Sequence, residues 1–482
     1  MLKGGIKKVK KELLLISIAT DSYRNLGLIS IFATTTEAGI STDLLFIPSE
    51  AEYNEEMFSN FLKTNKYRVI GISLTTRDFY FARKITSHIR KHLPQSHILW
   101  GGMHPTCKPK ECLTYADSIC IGEGEIFIVN LVTALRDGMD ISDIPGIGVK
   151  VGKKNELKIN PPQLIQDLNS LPFPRFDFKH FYVLNDNGLN LFSPQDYVRY
   201  SRHGGDGYVL LTSRSCPYNC SYCINSFLNR LYEDNTARIC RRLTVDNVIQ
   251  EIAHAISTIP GIGFINFMDD HFLLSKKWTE EFCKKYKKVI NLPFIIRATA
   301  NTIKDKQISL LKDAGMTTVQ MGIQSGSKHT HNNIYHRSFN EEEVLRAAKV
   351  LNRYGITCLY DFIIDNELET DEDRDKTIEL MLRLPKPYLA NLFALAVFPK
   401  TDLEEMYKKR KIKPKIDVYS SNYFEFSKKN YFYYQLASLA PLIDEKKIRN
   451  ILQNRDDKKS LSLLNKLFDE NRSRMWTEEA QL

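Results

Sequence analysis

The sequence predicts two α/β units in tandem, a five-stranded doubly wound sheet and then a partial (βα)6 barrel, followed by a helical, aromatic-rich extension. Three observations carry that prediction. Apolar strand-like runs alternate with helical patterns twice, across residues 13–137 and again across 207–409. Runs such as Val69-Ile-Gly-Ile-Ser-Leu74 lack polar alternation, which suits parallel strands covered on both faces. Between the two series, Asp143-Ile-Pro-Gly-Ile-Gly148, Asn160-Pro-Pro162 and Leu171-Pro-Phe-Pro-Arg175 break any sustained period.

In the first series, strands are expected near 13–19, 42–47, 69–74, 97–101 and 118–121, and helices near 25–39, 54–65, 78–92, 108–115 and 125–137. Right-handed crossovers between such units give a flavodoxin-like sheet, whose ligands bind beyond the strand carboxyl ends. The candidate binding residues are therefore Ser73, Thr75, Gly101, Gly102, His104, Thr106, Gly122, Glu123 and Gly124. Their glycines allow a ligand to approach the backbone closely. His104, followed by Pro105, reads equally well as a ligand and as a turn residue.

Residues 141–205 read as a connector. The second series has strands expected near 207–212, 263–268, 294–299, 318–323, 358–364 and 392–397, and helices near 245–258, 276–288, 304–314, 341–354, 371–383 and 401–409. Six such units suggest a TIM-like partial barrel with its functional groups where the strands end. The expected partition is 1–140, 141–205, 206–410 and 411–482. In the last part Tyr419, Tyr423, Phe424, Phe426 and Tyr431-Phe-Tyr-Tyr434 are expected to pack against the barrel, with cover over a substrate as the sharper alternative. Two or three charged amphipathic helices should follow 435.

A chain of 482 residues is long enough for two or three domains, and 43% apolar residues suffice for their cores. The net charge of +10 is local: five lysines lie within 1–11 and six basic residues within Lys408-Lys-Arg-Lys-Ile-Lys-Pro-Lys415, leaving about −1 elsewhere. That balance argues for solvated basic segments and against a nucleic-acid groove, with an RNA or acidic-substrate contact at 408–415 as the alternative. Nine cysteines, an odd number clustered at 216–223, fit a reducing compartment, the cytoplasm. The basic N-terminus leads into an apolar run too short for a membrane helix and better suited to a buried first strand, and no other stretch reaches the ~20 apolar residues a span requires.

The most specific feature is Cys216-Pro-Tyr-Asn-Cys-Ser-Tyr-Cys223, placed just after the first strand of the second series. Three thiolates at C-x3-C-x2-C spacing suit a 4Fe-4S cluster, and with no evident fourth cysteine one iron stays open to a ligand. The bland alternative is a structural zinc completed by His203 or Cys240. At the same rim stand Asp269 and Asp270, Arg297, and Gly322-Ile-Gln-Ser-Gly-Ser327 with Gln324 and Ser325.

On these motifs the chain resembles the cobalamin-binding radical S-adenosylmethionine (SAM) enzymes over about residues 13–410. The resemblance implies that Cys216, Cys220 and Cys223 bind a 4Fe-4S cluster whose open iron is chelated by SAM, with Tyr222 beside the adenine. Phe267-Met-Asp-Asp-His-Phe272 matches a motif that places Asp269 and Asp270 at the SAM ammonium group. Residues 322–327 resemble Gly-Ile-Glu-Ser-Gly-Ser, with Gln324 in the glutamate place. Asp365-Asn-Glu-Leu-Glu-Thr370 and Phe398-Pro-Lys-Thr401 are similar to two further signatures of the family, Asp-Asn-Pro-x-Glu-Thr and Phe-Pro-Gly-Thr, whose proline and glycine this chain lacks. The first domain resembles the cobalamin module but has no Asp-x-His-x-x-Gly loop.

The resemblance implies reductive cleavage of SAM to a 5′-deoxyadenosyl radical and C-methylation of an unactivated carbon in a small molecule or peptide. It also implies a reductase such as flavodoxin or ferredoxin. Ring formation or oxidation without methyl transfer is the nearest alternative. A tRNA methylthiotransferase would need a cysteine-bearing first domain, and Cys107, Cys112 and Cys120 show no cluster spacing. A zinc-containing binding protein is the non-catalytic reading.

Overall fold

The computed structural model describes residues 11–18, 26–200, 207–232, 240–420, 426–428 and 430–475. His203, Tyr423 and Phe424 lie outside them. The chain divides into two compact units, residues 1–205 with 254–260 and residues 206–253 with 261–482.

In the first unit, β1 (Lys11–Ile18), β2 (Thr42–Ile47), β3 (Tyr67–Ser73), β4 (His97–Gly101) and β5 (Ser118–Cys120) are parallel in the order β5-β4-β3-β1-β2. β1 and β2 are almost wholly buried, as their uninterrupted apolar sequences require. The strand order reverses between β1 and β3, which opens the crevice at their carboxyl ends. Helices Leu26–Glu37, Glu55–Thr64, Phe79–His92 and Glu125–Asp137 lie where the periodicity predicts. The segment expected at 108–115 forms two short helical turns, Met103–Cys107 and Pro109–Cys112.

Residues 141–205 do more than connect. They supply β6 (Ile147–Val151), β7 (Glu156–Ile159), β8 (Phe181–Asn185) and β9 (Gly188–Leu191), which extend the sheet on both edges to nine strands. β8 joins β2 in parallel, whereas β6, β7 and β9 add antiparallel hairpin partners. Turn-rich sequence concealed these strands because each is only four or five residues long.

In the second unit, β10 (Gly207–Leu210), β13 (Phe264–Phe267), β14 (Phe294–Ala298), β15 (Met316–Gln324), β16 (Thr357–Asp365) and β17 (Leu389–Ala394) form one parallel sheet in sequential order, the partial barrel. Between β10 and β13, β11 (Ser213–Arg214) and β12 (Arg241–Arg242) pair antiparallel and close the base of the excursion that carries the cysteines. Helices Val245–Thr258, Lys276–Val289, Asp305–Asp313, Glu341–Arg353, Asp371–Arg383 and Asp402–Arg410 complete the repeat.

The extension forms helices Tyr431–Leu439, Glu445–Gln453 and Lys458–Asn471. Asp365, at the end of β16, anchors its start by accepting from Ser427 N and Asn430 Nδ2, both at 2.5 Å. Tyr433 donates to Asp375 at 3.0 Å, and Arg455 pairs with the same carboxylate at 2.5 Å. Phe426 stacks on Tyr434, which meets Phe468 edge-on. These aromatics hold the extension together and tie it to the barrel. No helix among the described residues is long and apolar enough to cross a membrane.

Candidate active site

Beyond β10 the chain turns at Ser215, whose φ of 83° is left-handed, and enters the cysteine loop. Asn229 donates to the Cys216 carbonyl at 3.0 Å, and Ser226 Oγ to the Cys223 carbonyl at 2.8 Å. Cys223 stands at the N-terminus of helix Ile224–Leu231 in extended conformation. Between the cysteines, Ser221 is fully buried: its N–H donates to Tyr335 O at 2.9 Å, its hydroxyl to Ile334 O, and its carbonyl accepts from Leu403 N at 2.9 Å. The loop is thus held by backbone bonds from two directions, which leaves its sulfurs for other work.

Burial pushes the Cys216 thiol up to about 12 and the Cys223 thiol up to about 11, while the backbone N–H groups of Tyr218 and Asn225 draw them down. Bound metal is what deprotonates such thiols. Among the described residues no three His, Cys, Asp or Glu side chains converge as a single-ion site requires. Cys216, Cys220 and Cys223 lie within electrostatic range of one another on one loop, a three-thiolate donor set that suits a cluster. Cys240, the other zinc candidate, hydrogen-bonds to Ser213.

The sequence does not reveal the cation beside this loop. Arg337 donates through Nη2 to Gly322 O at 2.7 Å, and its Nη1 lies 3.5 Å from the Tyr222 hydroxyl and 4.0 Å from Cys220 Sγ. Tyr222 meets Tyr335 edge-on, with centroids 5.0 Å apart. Gln324, at a left-handed φ of 73°, folds back so closely that a Cβ at Gly322 would meet its Nε2 at 2.6 Å. Cys220, Tyr222, Gln324 and Arg337 therefore share one place. Asp270 joins from the end of β13, where it is exposed, hydrogen-bonded to Asn225 and within electrostatic range of Arg297, Cys216 and Cys223.

Two expected ligand residues are engaged elsewhere. Asp269 is fully buried and accepts from Thr212 N at 3.1 Å, Thr212 Oγ1 at 2.8 Å and the Ser213 hydroxyl, so it pins the strand end that precedes the cysteines. Ser325 donates to Glu369 at 3.0 Å and sits 3.0 Å from Thr377 Oγ1, where it joins β15 to the helix Asp371–Arg383. Burial raises Glu369 to about 7.

Below the rim, polar side chains cross four adjacent strands. Arg297 Nε donates to Gln320 Oε1 at 3.1 Å, Gln320 Nε2 to Asp361 at 2.9 Å, and Asn391 Nδ2 to Asp361 at 3.0 Å. Of these four, the motif pattern points only to Arg297. A detectable signal existed for the rest: Gln320, Asp361 and Asn391 each stand within a strand between two apolar neighbours.

In the first unit the three post-strand segments come together at the ends of β3, β4 and β5. Thr106 Oγ1 donates to Gly102 O at 2.8 Å and accepts from Gly122 N at 3.1 Å. Gly102, with φ 95°, lies where a Cβ would be 2.8 Å from Leu74 O. Ser73, Gly101, Gly102, Gly122, Glu123 and Gly124 line this rim at intermediate exposure, and Glu123 also accepts from Ile165 N at 2.9 Å. Thr75 is exposed and donates through both N and Oγ1 to Asp78 Oδ2. His104 is fully buried, 3.2 Å from Thr76 Oγ1 and tilted against Phe79, and burial lowers it to about 4. It packs the segment's underside. The rim therefore offers backbone, hydroxyl and glycine to a flat ligand edge and no imidazole to a metal.

A radical SAM superfamily model matches residues 210–381 and a B12-binding domain model matches residues 13–132, so each covers one of the two constellations just described. The chain carries a B12-binding domain and a radical SAM domain, the pair that cobalamin-binding radical SAM enzymes combine. An uncharacterized methyltransferase of Pyrococcus horikoshii is 28% identical over 346 residues, 70% of this chain and 68% of that protein. The anaerobic magnesium-protoporphyrin IX monomethyl ester cyclase of Rubrivivax gelatinosus is 24% identical over 415 residues, 84% of this chain and 68% of the cyclase. The solved radical SAM methyltransferase TsrM of Kitasatospora setae, with cobalamin and a [4Fe-4S] cluster bound, superposes with a TM-score of 0.67 at 16% identity, over 83% of this chain and 75% of its own. That last likeness speaks for the fold.

Proposed function

We propose that this cobalamin-dependent radical SAM enzyme C-methylates an unactivated carbon of a small molecule or peptide. The observation that carries the reading is the cysteine loop with Arg337 fixed beside Cys220 by the Gly322 carbonyl. When bound, the cluster with SAM supplies a carbon-centred radical and cobalamin a transferable methyl group. The chain's residues do the positioning. Cys216, Cys220 and Cys223 hold the cluster. Arg337 presents a half-buried guanidinium to the carboxylate of SAM, and Asp270 presents an anion to its ammonium. Tyr222, held edge-on by Tyr335, offers a flat wall to the adenine, and Gln324 an amide to the ribose hydroxyls. The Arg297–Gln320–Asp361–Asn391 row orients polar groups of the substrate within the barrel. In the first unit, the glycine and hydroxyl rim at Ser73, Gly101–Gly102, Thr106 and Gly122–Gly124 takes the cobalamin edge.

Nine cysteines that form no disulfide support a reducing compartment, the cytoplasm, and a one-electron reductase of the flavodoxin or ferredoxin kind completes the cycle. A second reading, ring formation without methyl transfer, is favoured by the match to the cyclase over most of this chain. Anaerobic reconstitution followed by turnover decides between them. Methylation requires S-adenosylhomocysteine, 5′-deoxyadenosine and a product one methyl heavier. A product of lower hydrogen content with no S-adenosylhomocysteine selects ring formation.

A further inference from the structure

The helix Asp402–Arg410 has two unlike sides. One is built into the cysteine loop: Leu403 and Tyr407 are buried with Ile334 and Tyr335, Tyr222 packs against that cluster, and Leu403 N–H donates to Ser221 O at 2.9 Å. Arg230, on the helix that leaves Cys223, pairs with Asp402 at 2.9 Å. The other side and the turn that follows expose Lys408, Lys409, Arg410, Lys411, Lys413 and Lys415. Lys408 is neutralised by Glu404 and Glu405, and Lys415 lies 3.9 Å from Glu367. Among the described residues, no carboxylate makes an ion pair with Arg410, Lys411 or Lys413, and Lys409 feels Glu405 without a direct ion pair.

Helix electrostatics explain only part of this. Cations in a last turn offset the partial negative charge of the C-terminus by about 0.3–1 kcal/mol each, which accounts for Lys408, Lys409 and Arg410. Lys411, Lys413 and Lys415 lie beyond the helix and gain nothing from it. With the five N-terminal lysines and the six basic residues of 408–415 set aside, the rest of the chain sums to about −1, so this segment holds a local excess of positive charge, one helix from the cysteine loop.

We infer that Lys409, Arg410, Lys411 and Lys413 form the docking surface for an acidic one-electron carrier protein that reduces the cluster. The inference rests on the proposed cluster at Cys216, Cys220 and Cys223. The carrier docks by charge complementarity and is oxidised by one electron, and the cluster is reduced by that electron. No proton or bond changes hands in the docking step. Complementary charge of this kind raises association rates about 10- to 1,000-fold at low salt and loses that gain as salt rises.

The test compares full-length reconstituted wild type with the K409E/R410E/K413E variant, mixed anaerobically with reduced flavodoxin or, separately, with reduced methyl viologen, a small cationic donor. Wild type should be reduced by flavodoxin at a rate that falls steeply with ionic strength. The variant should be reduced at least about tenfold more slowly at low salt, with little salt dependence, and should keep its iron and its methyl viologen rate. Equal flavodoxin rates and equal salt dependence in the two proteins overturn the docking surface. So does a variant slowed equally with both donors. If charge reversal costs iron, K409A/R410A/K413A decides by the same two rates, with an intermediate slowing expected. Retention of single-stranded RNA by wild type and not by the variant, with flavodoxin rates unchanged, would assign the patch to nucleic acid and also overturn the inference. Failure of the cluster reading is seen earlier and separately, as wild type that takes up no iron.

Discussion

The two candidate sites are built from opposite materials. In the second unit, the site consists of side chains with fixed charge or soft donors, the three cysteines, Arg337, Asp270 and the row from Arg297 to Asn391. In the first unit it consists mainly of backbone, glycine and hydroxyl, with one carboxylate, Glu123, that accepts from Ile165 N, and the single histidine among its candidates turns inward. A site of charged side chains depends on a few irreplaceable atoms. A site of backbone depends on the path of the chain, so it fails by steric intrusion. Single substitutions should expose that difference.

The largest effect is expected at the cysteines. Cys216→Ala removes one of three ligands and should abolish iron uptake and SAM cleavage together, as read by iron and sulfide analysis and by 5′-deoxyadenosine formation. The same protein should still take up cobalamin to wild-type stoichiometry, because the first unit has its own sheet and its own rim. Loss of cobalamin along with iron would show that the two sites are not separable in this way.

Arg337 comes next. Arg337→Ala deletes the guanidinium that Gly322 holds beside Cys220, and a charge-assisted contact at a half-buried site is worth about 2–3 kcal/mol, which is roughly a 30- to 150-fold rise in the KM for SAM. Arg337→Lys keeps the charge and should recover part of the loss, whereas a purely structural role would leave KM unchanged and lower the melting temperature. In the first unit, Gly102→Ala should weaken cobalamin binding and cost about 1–3 kcal/mol of stability, through a left-handed φ of 95° and a Cβ placed 2.8 Å from Leu74 O. Its iron content should not change. Cobalamin titration by visible absorbance and thermal unfolding measure the two effects.

The same contrast decides what could be read in advance. Both parallel sheets were legible because their strands are continuous apolar runs and their helices keep a 3.6-residue period. The cysteine loop was legible because three soft ligands spaced this closely seldom serve anything but one metal centre. Arg337 was not, since it meets Cys220 across 117 residues and nothing local marks it. Asp269 and Ser325 carry the right chemistry in the right motifs, yet tertiary hydrogen bonds to Ser213 and Glu369 consume them. His104 read equally well as a ligand and as a turn residue, and burial against Phe79 reveals a packing role. The strands within 141–205 were hidden by length, since four-residue edge strands between proline turns have too few positions to show a period.

The smallest expected effect is on the pH dependence of stability, which buried groups of opposite kind tilt in opposite directions: His104 in the first unit and His271 and His331 in the second on the acid side, Glu251 on the alkaline side. Burial lowers His104 in the first unit from 6.5 to about 4, so between those values the unfolded chain carries a proton that the folded chain does not, and stability falls as pH drops below 6.5. In the second unit Glu251, fully buried under the Tyr208 hydroxyl at 3.1 Å, is raised from 4.5 to about 8 by burial. There the folded chain keeps a proton that the unfolded chain has lost, so stability falls as pH rises from 4.5 towards 8. Each group contributes a slope of at most about 1.4 kcal/mol per pH unit. Glu251→Gln keeps a donor and acceptor without the titration and should flatten the alkaline limb of a denaturant-unfolding series, leaving the acid limb unchanged. His104→Gln should soften the acid limb, to which His271 and His331 also contribute, and leave the alkaline limb unchanged. If either variant flattened the other's limb, the groups that set the acid and alkaline sensitivities of the two units would have to be sought elsewhere, beginning with Glu369, which is raised to about 7 on the same alkaline side.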